Sequence, residues 1–118
     1  MKSYTDIEQS RKLAEILPHE SADMEYLAIK ENGLLVAKVP FVKDDSEVED
    51  SAYSHIYDRI DCWSLAALLG FLPKYEIYNN GKTIQLDVNL EALGTEDDET
   101  LLDLVVNMII NLHELNLL

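Results

Sequence analysis

Residues 74–88, KYEIYNNGKTIQLDV, decide the fold. Apolar and polar side chains alternate on both sides of Asn80-Gly81, a dipeptide that supplies the positive φ angles of a tight hairpin turn. The expected register sets Ile77 against Ile84 and Tyr75 against Leu86 on a dry face. Glu76 against Gln85 and Lys74 against Asp87 then form a wet face. A second turn, Asn32-Gly33, separates the apolar runs Glu25–Lys30 and Leu34–Phe41. There Ile29 is expected to face Val36, Ala28 to face Ala37 and Tyr26 to face Val39. Both faces carry apolar pairs, so this hairpin should be covered on two sides or sit at an interface.

Helical patterns lie before, between and after the hairpins. Thr5-x-x-Glu8 reads as a capping box opening a first helix, which Pro18 closes. Val48, Ala52, Tyr53, Ile56, Tyr57 and Ile60 recur at helical spacing behind Ser46-x-x-Glu49, so the acidic connecting segment 42–60 reads as partly helical or loop. A firmer helix spans about Cys62 to Leu72, with Asp61 as N-cap and Pro73 as the stop. The last runs from near Thr95–Glu99 to about Leu115, its acids favouring the positive end of the helix dipole. Asp103, Asn107, Asn111 and Glu114 form one narrow polar stripe on it, and the rest is apolar. Such a helix is buried on more than one side, as a central core element or with one flank at an interface. The expected fold is α+β: a single domain over residues 1–118, in helix–hairpin–helix–hairpin–helix order, with an antiparallel sheet of about four strands packed by helices. Leu-Pro precedes an Asn-Gly hairpin twice, at Pro18 and Pro73. This reads either as a duplicated unit or as ordinary helix-stop chemistry.

The charge is unevenly spread. The chain carries 23 acids against nine Lys and Arg, a net charge of −14. Residues 44–61 hold seven acids and one base, and residues 83–118 hold eight acids and no base. Such a field repels nucleic acid and anionic membrane and attracts basic partners. The N-terminus lacks an apolar signal-peptide core, and the apolar stretch 101–118 is too interrupted to span a bilayer. A soluble, cytoplasmic protein is expected.

Catalytic and ligand-binding patterns are sparse. Cys62 is the single cysteine, and His55 lies seven residues before it, so the two would share a face of a continuous helix. With Trp63 beside them they make a small candidate pocket, opposed by Asp61, which disfavours a thiolate. Ser64 lacks nucleophile-elbow glycines. His55, Asp58 and Asp61, and separately His19, Glu20 and Asp23, are loose metal-like groupings without a recognised motif, and no glycine-rich phosphate loop exists. No catalytic residue, metal or cofactor is assigned.

Four islands carry a resemblance: Glu8-Gln9-Ser10-Arg11-Lys12-Leu13, Glu20-Ser21-Ala22-Asp23-Met24, Cys62-Trp63-Ser64-Leu65-Ala66-Ala67-Leu68-Leu69 and Leu112-His113-Glu114-Leu115. They resemble short uncharacterised proteins of prophages and mobile elements of gut anaerobic bacteria. Those chains tend to have Pro before the Cys, where this one has Asp61. The resemblance implies a genomic context and no chemistry.

The function expected from these residues is non-enzymatic binding of a protein with a basic surface, as an accessory factor of a phage or mobile element, with imitation of DNA by its carboxylates as one form this could take. Acids one helical turn apart stand about 5–6 Å from each other, within the range of duplex phosphate spacings. The expected contact surface is Asp44, Asp45, Glu47, Glu49, Asp50 and Asp58 with Glu96, Asp97, Asp98 and Glu99. The alternatives are a self-associating structural protein dimerising through the C-terminal helix, and a small enzyme or ligand binder around His55, Cys62 and Trp63.

Overall fold

The computed structural model describes residues 2–36, 38–43, 57–88, 91–96 and 98–118. In chain order the elements are α1 (Ile7–Ala14), a 3-10 turn (His19–Ser21), β1 (Met24–Ile29), β2 (Phe41–Val42), β3 (Tyr57–Cys62), α2 (Leu65–Leu69), β4 (Tyr75–Asn79), β5 (Ile84–Val88), β6 (Glu91–Gly94) and α3 (Leu101–Glu114). The class is α+β, with three α-helices among the described residues. Among the described residues the strands form two antiparallel sheets of three, where a single sheet of about four was expected. The chain divides into two compact units: Asp6–Trp63, and Met1–Thr5 together with Ser64–Leu118. Their strand orders, β2-β1-β3 and β4-β5-β6, differ, so the sheets are not copies of one unit. No helix of the described residues is long and apolar enough to cross a membrane.

In the unit Asp6–Trp63, α1 starts one residue later than expected. Asp6, not Thr5, is its cap: the Asp6 carboxylate accepts from the Gln9 N–H, and the Gln9 side chain accepts from the Asp6 N–H. The first hairpin closes over a four-residue loop in which Gly33 takes φ +68° and Asn32 Oδ1 accepts from the Leu34 N–H. Ala28 therefore meets Leu35 rather than Ala37. Pairing resumes only at Met24 with Val42 and Glu25 with Phe41, beyond Pro40, which has no N–H to give to a ladder. The full-length partner of β1 is β3, from Met24–Cys62 to Ile29–Tyr57. Tyr57–Ile60 is thus strand and not the tail of a helix, because a paired β1 overrides the helical spacing of its apolar residues. The rest of that proposed helix, residues 44–56, lies outside the described residues. Among the described residues of this unit, Leu13, Leu17, Ala22, Tyr26, Ala28, Cys62 and Trp63 form the apolar core, with Ser10 and Glu25 buried beside them.

In the other unit α2 is shorter than expected. β3 runs on through Cys62, so Asp61 is in the strand and Ser64 caps the helix, its hydroxyl accepting from the Ala67 N–H. α3 begins at a Thr100–Asp103 capping box, not at residues 95–99, which follow the unanticipated β6. Leu102, Leu104, Val105, Val106, Met108, Ile109 and Leu112 are fully buried or nearly so. α3 packs on α2, β5 and β6. Leu86 and Val88 of β5 lie fully buried in the same core. The second hairpin slides by one residue at its turn. Asn80 pairs with Thr83, leaving Gly81 and Lys82 central, and Gly81 at φ +89° occupies the position that a type II′ turn reserves for glycine. Ile77 meets Leu86 and Tyr75 meets Val88, a shift of two that preserves the faces. Ile109→Ala should lower stability by about 2–5 kcal/mol, read as an earlier urea midpoint, because the site lies where α3 cannot collapse onto solvent.

Candidate functional site

β5 is the central strand of its sheet and fixes which groups of β4 face outward. The Ile84 N–H donates to Thr95 Oγ1 at 2.9 Å, and the Ile84 carbonyl accepts from the Thr95 N–H at 2.9 Å. Ile84, Leu86 and Val88 therefore bond towards β6, and Gln85 and Asp87 towards β4. The Asn80 N–H donates to the Thr83 carbonyl at 3.2 Å, which fixes the same alternation on β4. Tyr78 and Glu76 bond to β5. Tyr75, Ile77 and Asn79 turn their N–H and C=O groups to the outer edge, where no strand of the described residues pairs with them.

All five β4 residues are exposed, including Tyr75 (40%), Ile77 (38%) and Tyr78 (51%). Tyr75 and Ile77 share the face of Leu86 and Val88 but stay more than a third exposed there. On the other face the corrected register sets Glu76 directly across from Asp87, two like charges opposite each other in a hydrogen-bonded pair. Gln85 Nε2 donates to Asp87 Oδ1 at 2.8 Å, and the Tyr78 hydroxyl donates to Glu76 Oε2. That hydrogen bond to Glu76 raises the Tyr78 pKa above the ordinary phenol value, and the charges of Glu76 and Asp87 push the same way. Lys74, Tyr75, Glu76, Tyr78 and Asp87 line an open cavity of about 380 Å³.

A second acidic feature follows the polar stripe of α3. Asn107 Nδ2 donates to Glu99 Oε2 at 3.4 Å, and one turn on Asn111 Nδ2 donates to Glu91 Oε2 at 3.2 Å. Neutral amides orient these carboxylates, so their charge stays uncompensated. Asp103, by contrast, is paired with Lys2 Nζ at 2.7 Å. Among the described residues of this unit, Glu76, Asp87, Glu91, Glu96, Asp98, Glu99 and Glu114 have no cation within salt-bridge distance.

The unit Asp6–Trp63 holds a cluster of mixed sign. Asp61 Oδ2 lies 2.6 Å from His19 Nδ1, and Asp61 Oδ1 lies 3.0 Å from Lys43 Nζ. Both oxygens of Asp61 are engaged, which makes the group a fastener between β3 and the segments after α1 and β2. A cavity of about 340 Å³ beside it is lined by Ser10, Arg11, His19, Asp58, Arg59 and Asp61, among others. Arg59 Nη1 reaches Glu25 at 3.5 Å. Among the described residues no group of three His, Cys, Asp or Glu could hold a metal ion.

The expected site residues fall as follows. Asp58 is exposed on β3 in one unit; Glu96 and Asp98 are exposed and Glu99 half-buried ahead of α3 in the other. Asp98 stands at φ +64° in a turn closed by the Glu96 N–H donating to Glu99 Oε1 at 2.8 Å. Asp44, Asp45, Glu47, Glu49, Asp50, His55 and Asp97 lie outside the described residues. Cys62 and Trp63 are fully buried, and Trp63 Nε1 donates to Ser21 Oγ at 3.0 Å. Comparisons with protein-family models, curated proteins and solved structures find no match.

The sequence reading missed the Glu76–Asp87 pair and the amides of Asn107 and Asn111. Gly81 read as the first central residue of a Gly-x turn would have given the register and, with it, the charge pair. Two measurements check this geometry. The Cys62 thiol should stay unreactive towards a thiol-specific chromogenic reagent in the native state and react on unfolding. The Tyr78 phenol should titrate above an ordinary tyrosine by near-ultraviolet absorbance, and Glu76→Gln should bring it back down. The sign is that of a proton held more tightly in the folded state: this stabilisation is full below the unfolded pKa and lost as pH rises through the folded one.

Proposed function

We propose that this chain is a non-enzymatic binding protein whose partner presents a basic surface, acting in the cytoplasm as an accessory factor of a phage or mobile element. The observation that carries the reading is the uncompensated acid set of the unit built around α3. Glu91 and Glu99 are oriented by Asn111 and Asn107, and neither has a cation partner among the described residues. Asn107 and Asn111 are one helical turn apart, so the two carboxylates that they hold lie along one flank of α3, a row of negative charge of the kind a phosphate-binding surface recognises. The partner class is accordingly a basic nucleic-acid-binding protein. The four sequence islands resembling mobile-element proteins support the setting.

Self-association through α3 is not part of this reading. Its apolar residues from Leu102 to Leu112 are buried inside the protein, apart from the half-buried Ile110, which leaves its flanks little to offer a second helix.

With polylysine as the basic probe, isothermal titration calorimetry at low salt should give binding that weakens steadily as salt rises. Glu91→Gln and Glu99→Gln should each weaken it by roughly 0.2–1 kcal/mol, the range for exposed ion pairs. An affinity indifferent to salt and to both substitutions would sink the proposal.

A further inference from the structure

We propose that β4 is a docking strand, and that an extended segment of the partner with alternating basic and apolar residues adds to its outer edge as a fourth strand of the β4-β5-β6 sheet. The proposal rests on the reading above, that the partner is basic, and says how it is gripped.

The backbone supplies the first part of the case. Tyr75, Ile77 and Asn79 offer three N–H donors and three C=O acceptors along one line, at the spacing an antiparallel strand matches. Edges of this kind are ordinarily blunted by Lys, Pro or a bulge. Pro73 and Lys74 stand ahead of β4, but Tyr75–Asn79 contains no such residue and pairs with β5 without a bulge.

The side chains say what the added strand must carry. A residue opposite Ile77 lies on the Tyr75–Ile77 face and covers apolar surface that α3 leaves exposed. Its neighbour opposite Glu76 lies on the other face, beside the Glu76–Asp87 pair. A Lys or Arg there offsets two like charges that are adjacent in the free protein, and the Tyr78 ring beside them offers a cation–π face. A second copy of the chain lacks this complementarity: its own β4 brings a further Glu76 and no basic residue between 75 and 79. Charge therefore selects a foreign basic strand.

The test uses the full chain and two labelled peptides of equal composition, Val-Lys-Val-Lys-Val and Val-Val-Val-Lys-Lys, followed by fluorescence anisotropy. The alternating peptide should bind roughly tenfold tighter. It should also slow hydrogen exchange at the Tyr75, Ile77 and Asn79 amides. Ile77→Pro should abolish that preference with the circular dichroism unchanged, since the Ile77 N–H is not used in the β4–β5 ladder. Should that variant unfold, Glu76→Lys decides: it should turn the preference towards Val-Glu-Val-Glu-Val. Equal binding of the two lysine peptides without amide protection overturns the docking strand and leaves the acidic-surface reading intact. Loss of polylysine binding as well overturns both. A dimer by light scattering that Ile77→Pro dissolves would assign the edge to a second copy instead, and the proposal falls.

Discussion

An α-helix buried on most of its circumference sets the terms for the unit around it. The apolar residues of α3 from Leu102 to Leu112 each contribute about 1.5–3 kcal/mol when removed from water. They need a cover on more than one side. A helix is about 10 Å across, and strands lie about 4.8 Å apart, so one helix spans about two strands. α3 sits on β5 and β6. The third strand, β4, is held to the sheet by its hydrogen bonds to β5, and all five of its residues are exposed. The core is thus closed at one margin of the sheet and the other margin is left accessible. Burial at the centre and exposure at the edge are two results of one packing choice.

Much of this was legible in the sequence. The alternation in residues 75–88 gave the strands and their faces, and the polar stripe Asp103–Asn107–Asn111–Glu114 gave the orientation of α3. Turn and cap positions were legible only to within a residue. Thr5 and Asp6 are both good caps, and the choice between them depends on which side chain, Glu8 or Gln9, reaches back. Asn80-Gly81 and Gly81-Lys82 are both acceptable turns. The second prevails, with Asn80 Oδ1 accepting from the Lys82 and Thr83 N–H groups. The Tyr57–Ile60 error has another origin. Helical spacing of apolar residues is a local signal, and a strand whose partner lies far off in sequence, as Met24 is from Cys62, leaves no local mark.

The candidate site was less legible than the fold because it depends on register. Displacing the turn by one residue keeps every side chain on its face but changes each opposite neighbour. Glu76 then meets Asp87 instead of Gln85, and a neutral wet face becomes a negative one. The expected acids at 96–99 are present but serve partly in local turn hydrogen bonds, as Glu99 does for the Glu96 N–H. Cys62, the last residue of β3, and Trp63, which follows it, are both buried in the core and line no open site.

The segment Met1–Thr5 belongs to the unit whose remaining residues start at Ser64. Lys2 reaches Asp103 across 101 residues, Tyr4 bridges to Ser64, and the Ser3 carbonyl accepts from the Leu65 N–H. On a ribosome, where the chain appears from its N-terminus, Asp6–Trp63 has its whole set of strands once residue 63 is out. The first residues must wait for the last helix. One unit is an uninterrupted stretch that can order early, and the other is a late closure between the two ends of the chain, slowed by the length of the loop it has to draw shut.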